Sequence, residues 1–350
     1  MSVEGPKKET SVMAILLFGI LSMVFGQVFY GSSPLWFLDF FGWSVLFPLV
    51  WFQSLLLINI ALYYERTSLT QLYLLGIIYG LYEAWITKVV WAGYLHNVPV
   101  FGTFLGFAIA EFLIKVLFWH PVFSFIIPVI IFQIIIQETN KGEAAEIYTS
   151  HLRFMSNNIQ NKVLLGVVVV IGALFLIKGL EGNALAILVA AGINFAFIFL
   201  LGYLTISLSK RPLSLDSLKV GKRGLSIISI YLIAIYSISF LTVNEAMIAS
   251  IGTILLTVVF YIIVLTMLFL TPRDLRTTIE LPSGIIRFEQ LTWALVTFLM
   301  LSLTFALISI IAFIASSLFY ILLIFLGPIL FFLAIVQVFR KGELIGNDSD

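Results

Sequence analysis

Ionisable residues inside long apolar runs are where this chain would do chemistry. Residues 69–95 contain Glu83 and Lys88, and residues 99–119 contain Glu111 and Lys115. His96 follows the first run, and His120 with Pro121 follows the second. A charge at bilayer depth costs at least about 2.5 kcal/mol, so such residues mark ion or proton pathways or buried pairs. Glu111 and Lys115 are four apart and share a helix face, as a register-fixing pair would. Lys88 lies five residues beyond Glu83, about 140° round an α-helix, so it does not share that carboxyl's face. It can reach Glu111 across the helix pair instead. With a 1.5 Å rise, Glu83 and Glu111 both fall near the midplane, about 14 and 12 residues into their runs. A desolvated carboxyl with no cation on its own face suits a proton relay, and equally a hydrogen-bonded structural acid.

His120 beside Pro121 reads as a gate or ligand at a membrane boundary, or as an interfacial histidine in water. Tyr82 and Trp85 flank Glu83. Trp85 is too deep for an interfacial aromatic belt, so both are candidates to line a cavity. Trp91, Tyr94 and Trp119 suit the belt, and His96-Asn97-Val98-Pro99 reads as an outer turn. Gly76, Gly80, Gly102 and Gly106 form two pairs at four-residue spacing, which permits close helix contact.

Other chemistry finds no template. There are no cysteines, so thiolate sites, disulfides and iron–sulfur clusters are excluded. His151 lies in a polar loop, away from the other two histidines, so neither a metal site nor a cofactor is expected. No His-Glu-x-x-His, Gly-x-Ser-x-Gly or phosphate-binding loop occurs. An intramembrane glutamate protease needs paired glutamates, and Glu83 follows Tyr82 instead.

The elements that must position these residues follow from composition. Of 350 residues, 61% are apolar and 11% charged, with a mean hydropathy of +1.13. A soluble domain carries about 25% charged residues. Nineteen basic residues stand against 18 acidic ones, so no nucleic-acid partner is expected. The class predicted is an all-α, polytopic membrane helix bundle in the cell membrane. It is a single transmembrane domain over 1–350, with a polar-site half, 1–137, an apolar half, 138–350, and no soluble domain.

Apolar runs near 11–30, 42–63, 69–95, 99–119, 121–137, 162–180, 183–208, 224–241, 246–270, 291–312 and 314–338 approach the roughly 20 residues of a span. Loops 138–161, 209–223 and 271–290 and the tail carry most basic residues, which predicts that they are cytoplasmic. Lys7, Lys8 and Arg66 predict a cytoplasmic N-terminus as well, and Lys115 is counted at a cytoplasmic helix end. Eleven crossings would break that agreement. The run 121–137 is short and holds Pro121 and Pro128, so it is expected to be re-entrant or broken, leaving about 10 crossings. A short interfacial helix is expected in loop 138–161, and two short strands around a turn in loop 271–290.

The functional expectation is a carrier or permease for a small solute or ion, with proton coupling through Glu83. The site candidates are Glu83, Lys88, Glu111, Lys115 and His120, with Tyr82 and Trp85 lining the cavity. An intramembrane enzyme using Glu83 and His120, or a non-catalytic scaffold, is the alternative. The partners are the bilayer and, near 210–223, anionic lipid head groups.

Overall fold

Helices that are apolar all round, with no polar face, belong inside a bilayer or a bundle. A computed structural model describes residues 8–93, 99–140, 145–243, 247–274, 276–279 and 284–346. Side chains are described for these except 8–11, 83–84, 145–146, 149, 276–279 and 341–346. Among the described residues ten long helices follow in order. They are α1 (Lys8–Met23), α2 (Phe47–Tyr63), α3 (Leu69–Thr87), α4 (Ile109–Gln137), α5 (Ile159–Gly179), α6 (Ala184–Leu208), α7 (Lys222–Thr242), α8 (Ile251–Leu270), α9 (Phe288–Leu307) and α10 (Ser309–Gly346). Eight helical runs are long and apolar enough to cross a membrane; α1 contributes the shorter apolar helix Val12–Val28, and α3 runs 19 residues. The outer faces agree: on α7, Ile227, Ile230 and Ile233 are each about two-thirds exposed. Apolar surface of that kind marks contact with lipid.

The helix α4 corrects the expectation of a re-entrant or broken 121–137. Residues 109–137 form one continuous helix of 29 residues, and Pro121 lies inside it. The reason is the winding. Phe112–Ile126 is a π-helix, with wider turns than an α-helix. A wider turn relieves the clash that a proline ring makes with the preceding turn. Pro121 still removes one donor, and the Tyr73 hydroxyl donates to the Leu117 carbonyl nearby at 2.7 Å. The predicted runs 99–119 and 121–137 are therefore one helix, preceded by a small hairpin of β1 (Thr103–Phe104) and β2 (Phe107–Ala108).

The chain divides into two units, each built from three separated segments. The first comprises 1–55, 127–219 and 275–319. In it Phe29 stacks on Phe298 with centroids 4.4 Å apart, packed over Gly172. Asn194, fully buried, accepts from Trp36 Nε1 at 2.9 Å and donates to the Pro34 and Ala190 carbonyls. Its polar atoms are thus spent on holding α6 to the turn before α2. Strand β3 (Ala145–Tyr148) pairs antiparallel with β4 (Arg276–Ile279), and Ser156 bridges Ile285. So the expected hairpin in 271–290 is replaced, over its described part, by pairing with the loop 130 residues earlier. The helix expected in loop 138–161 is Thr149–Met155. His151 sits on it and is fully buried rather than in a polar loop, its Nδ1 2.8 Å from Gln133 Nε2. Leu213 N donates to Thr139 Oγ1 at 2.9 Å, so loop 209–219 shares this end of the unit.

The second unit comprises 56–126, 220–274 and 320–350. One end is knotted by polar groups. Arg66 donates to Thr271 Oγ1 at 3.2 Å, the Glu65 carbonyl accepts from Asp274 N at 2.8 Å, and buried Gln71 donates to Thr271 Oγ1 and the Pro272 carbonyl. At the other end Thr253 donates to the Leu105 carbonyl of the β1–β2 turn at 3.3 Å.

Candidate functional site

The candidate residues gather in the second unit, on and around α3 and α4. The two helices touch through glycine. A Cβ on Gly76 would lie 2.4 Å from Pro121 Cα, and one on Gly80 would lie 3.0 Å from Val116 Cα. Small residues at such contacts let backbones approach. The other predicted pair does different work: Gly102 and Gly106 take φ +72° and +81° in the hairpin, as tight turns require.

His120 faces α3. It is 3% exposed, its ring stacks on Tyr79 with centroids 5.4 Å apart, and its Nδ1 lies 3.0 Å from Ser124 Oγ. It is the twelfth residue of a 29-residue helix. The boundary position expected from sequence is therefore replaced by an interior one. The same continuity moves Glu111. It is the third residue of α4, near its end rather than its middle, yet it is 1% exposed. Its Oε2 is buried with no hydrogen-bond partner. Lys115, half-buried, acts electrostatically on this carboxyl, and the carboxyl in turn acts on Tyr320 of α10. Lys115 stands six residues into the helix, not at the far end where its charge was counted.

Lys88 ends α3. It takes φ +58°, left-handed backbone that ordinary residues avoid, and it is fully buried. Its ammonium donates to the Ser239 carbonyl at 3.3 Å and to the Val243 carbonyl, and lies 5.6 Å from the centre of the Phe240 ring. These carbonyls close the C-terminus of α7, the negative end of its dipole. Lys88 thus caps α7. Trp85 is stacked between Tyr236 at 5.3 Å and Phe240 at 4.9 Å, and its Nε1 is buried with no hydrogen-bond partner. The Tyr82 hydroxyl donates to the Leu232 carbonyl at 2.5 Å, and its ring lies 5.1 Å from Tyr236. Both rings are engaged in packing against α7. Glu83 holds its place in α3, but its side chain lies outside the described residues, as does all of His96.

Ser124, Tyr236, Phe240 and Tyr320 were missed from the sequence. The His120–Ser124 spacing of four was a usable signal; the others come from helices that composition cannot pair. Among the described residues no three His, Asp or Glu side chains converge as a metal site would require.

Long apolar helices with outward-facing aliphatic surface, and Lys88, Glu111 and His120 buried among them, define an integral membrane helix bundle. A family model described as an uncharacterized membrane protein family matches residues 16–342, and the chain belongs to that family. An uncharacterized protein of Archaeoglobus fulgidus is 38% identical over 125 residues, which is 36% of this chain. The match spans 39% of that relative's length. No solved structure matches.

Proposed function

We propose that the protein is a carrier or permease for a small solute or ion in the cell membrane, coupled to protons through the acidic residues of α3 and α4. One observation carries the reading: Lys88, Glu111 and His120 are each at most 3% exposed and all lie in one unit. Burying ionisable groups inside a bundle costs several kcal/mol and typifies substrate and proton paths. Glu83 is the candidate for the coupling carboxyl, through its position in α3. A scaffold is the second reading, and the capping of α7 by Lys88 favours it, since that contact is structural. The test is uptake into proteoliposomes under an imposed pH gradient, screened over small metabolites and ions. Glu83→Gln is expected to keep the protein folded and to abolish gradient-driven uptake, because an amide cannot exchange the proton. A fully active Glu83→Gln protein removes Glu83 from the mechanism.

The orientation proposed puts both termini and the basic loops on the cytoplasmic side. Ten helices make an even number of crossings. The loops around Thr139, Leu213 and β3–β4 join one another in the first unit, and those around Arg66 and Asp274 join in the second. The exposed Lys210, Arg211, Lys222 and Arg223 suit anionic lipid head groups on that side. With no cysteine in the chain, Asp216→Cys gives a single label site. Labelling is expected only after the membrane is opened; labelling by an impermeant reagent outside intact cells reverses the orientation.

A further inference from the structure

The π-helix has a geometric consequence for the residues it carries. Bonding from i to i+5 gives about 4.4 residues per turn, or about 82° per residue. Measured from Glu111, Lys115 then lies about 33° to one side, His120 about 16° to the other, and Ser124 about 16° back. An α-helix, at 100° per residue, would throw His120 about 180° away from Glu111. The π winding of Phe112–Ile126 therefore gathers Glu111, Lys115, His120 and Ser124 into one polar file, about 15 Å long, along the N-terminal half of α4. Glu111, His120 and Ser124 are at most 3% exposed, and Glu111 keeps one oxygen free of hydrogen bonds. π-Helical segments are rare and recur at functional sites.

We propose that this file is a proton path along α4, running between the Glu111 carboxyl and the His120–Ser124 pair by way of Lys115. This deepens the carrier reading and rests on it for its purpose. In the transfer, the Lys115 ammonium first gives a proton to the imidazole of His120, and the amine so formed then takes the proton of the Glu111 carboxyl. The carboxyl becomes a carboxylate, Lys115 ends as the ammonium it began as, and His120 becomes the imidazolium. Net charge is unchanged. Ser124, bonded to Nδ1, is the exit. The titratable neighbours of the file are Tyr79 of α3, stacked on His120, and Tyr320 of α10, which Glu111 acts on; Tyr73 of α3 donates to the Leu117 carbonyl, and α8 presents Phe260 against Phe112.

Infrared titration of the full-length protein in lipid tests the path without knowledge of the solute. In the Glu83→Gln background, which removes the other candidate acid, the protein should show a protonated-carboxyl band that Glu111→Gln removes. His120→Gln and Ser124→Ala should each shift the band's titration by about half a pH unit, about threefold in proton affinity. His151→Gln, in the other unit, should leave it in place. Melting curves identify folded variants; should Glu111→Gln not fold, the His120→Gln and Ser124→Ala shifts decide. A band that survives Glu111→Gln, or one indifferent to His120 and Ser124, overturns the path. Gradient-driven uptake with an unmoved band keeps the carrier and discards the file. A shifted band without uptake keeps the file and discards the carrier.

Discussion

Gly76→Val should prevent the folded state from forming. The added Cβ alone meets Pro121 Cα at 2.4 Å, and that atom is backbone, unable to step aside as a side-chain tip would. Overpacking a core typically costs about 1–3 kcal/mol, and here the obstruction lies where α3 meets the π turn. Two branches of valine on a β-carbon already in collision take the cost beyond that range. Gly166→Ala is the matched control: its Cβ would meet nothing within 4 Å, and alanine favours a helix interior by up to about 1 kcal/mol. Expression level and thermal unfolding of the purified proteins read the difference. A Gly76→Val protein with the wild-type melting temperature would mean that α3 and α4 do not touch here.

The second large effect lies at Lys88. Charge-assisted hydrogen bonds are worth about 1.5–3 kcal/mol, and Lys88→Ala removes the bonds to Ser239 and Val243 together. A loss of at least about 3 kcal/mol is expected. Lys88→Gly removes the same bonds but suits φ +58°, where an L-residue carries about 1–2 kcal/mol of strain. Glycine should therefore be the milder replacement, by about 1 kcal/mol, against its usual ranking in helical segments. Chemical denaturation in mild detergent orders the three proteins. Alanine ranking above glycine would contradict the left-handed turn at the end of α3.

Most of the bundle is legible as length and hydropathy, because a bilayer imposes about 20 apolar residues on each helix whatever its neighbours. What hydropathy does not encode is winding. Pro121 carries the same sequence signal whether it breaks a helix or sits in a π turn; its fit depends on Gly76 and Tyr73, some 45 residues away. The positions of Glu111 and His120 along their helix differ from expectation for that reason, since the helix runs from Ile109 to Gln137 rather than over 99–119. Gly102 and Gly106 misled similarly: four-residue spacing signals packing only if the segment is helical, and here it turns. Lys88 stands out in the sequence as a cation in an apolar run, and the structure buries it. Its partners are carbonyls, which every residue has and no pattern reveals.

The pairing of β3 with β4 has a consequence during synthesis. The strand Ala145–Tyr148 leaves the ribosome 128 residues before its partner begins at Arg276. At about 5–20 residues per second, its edge waits roughly 6–26 s with unpaired amides and carbonyls. Four long helices, α5 to α8, begin in that interval. An edge of only four residues is a poor template for a neighbouring chain, which protects the nascent protein while it waits. Its closure cannot occur until helices α5 to α8 have all been synthesised, because β4 follows them in the chain. The short sheet is thus a late contact, joining segments on either side of α5 to α8 only after all four helices have been made.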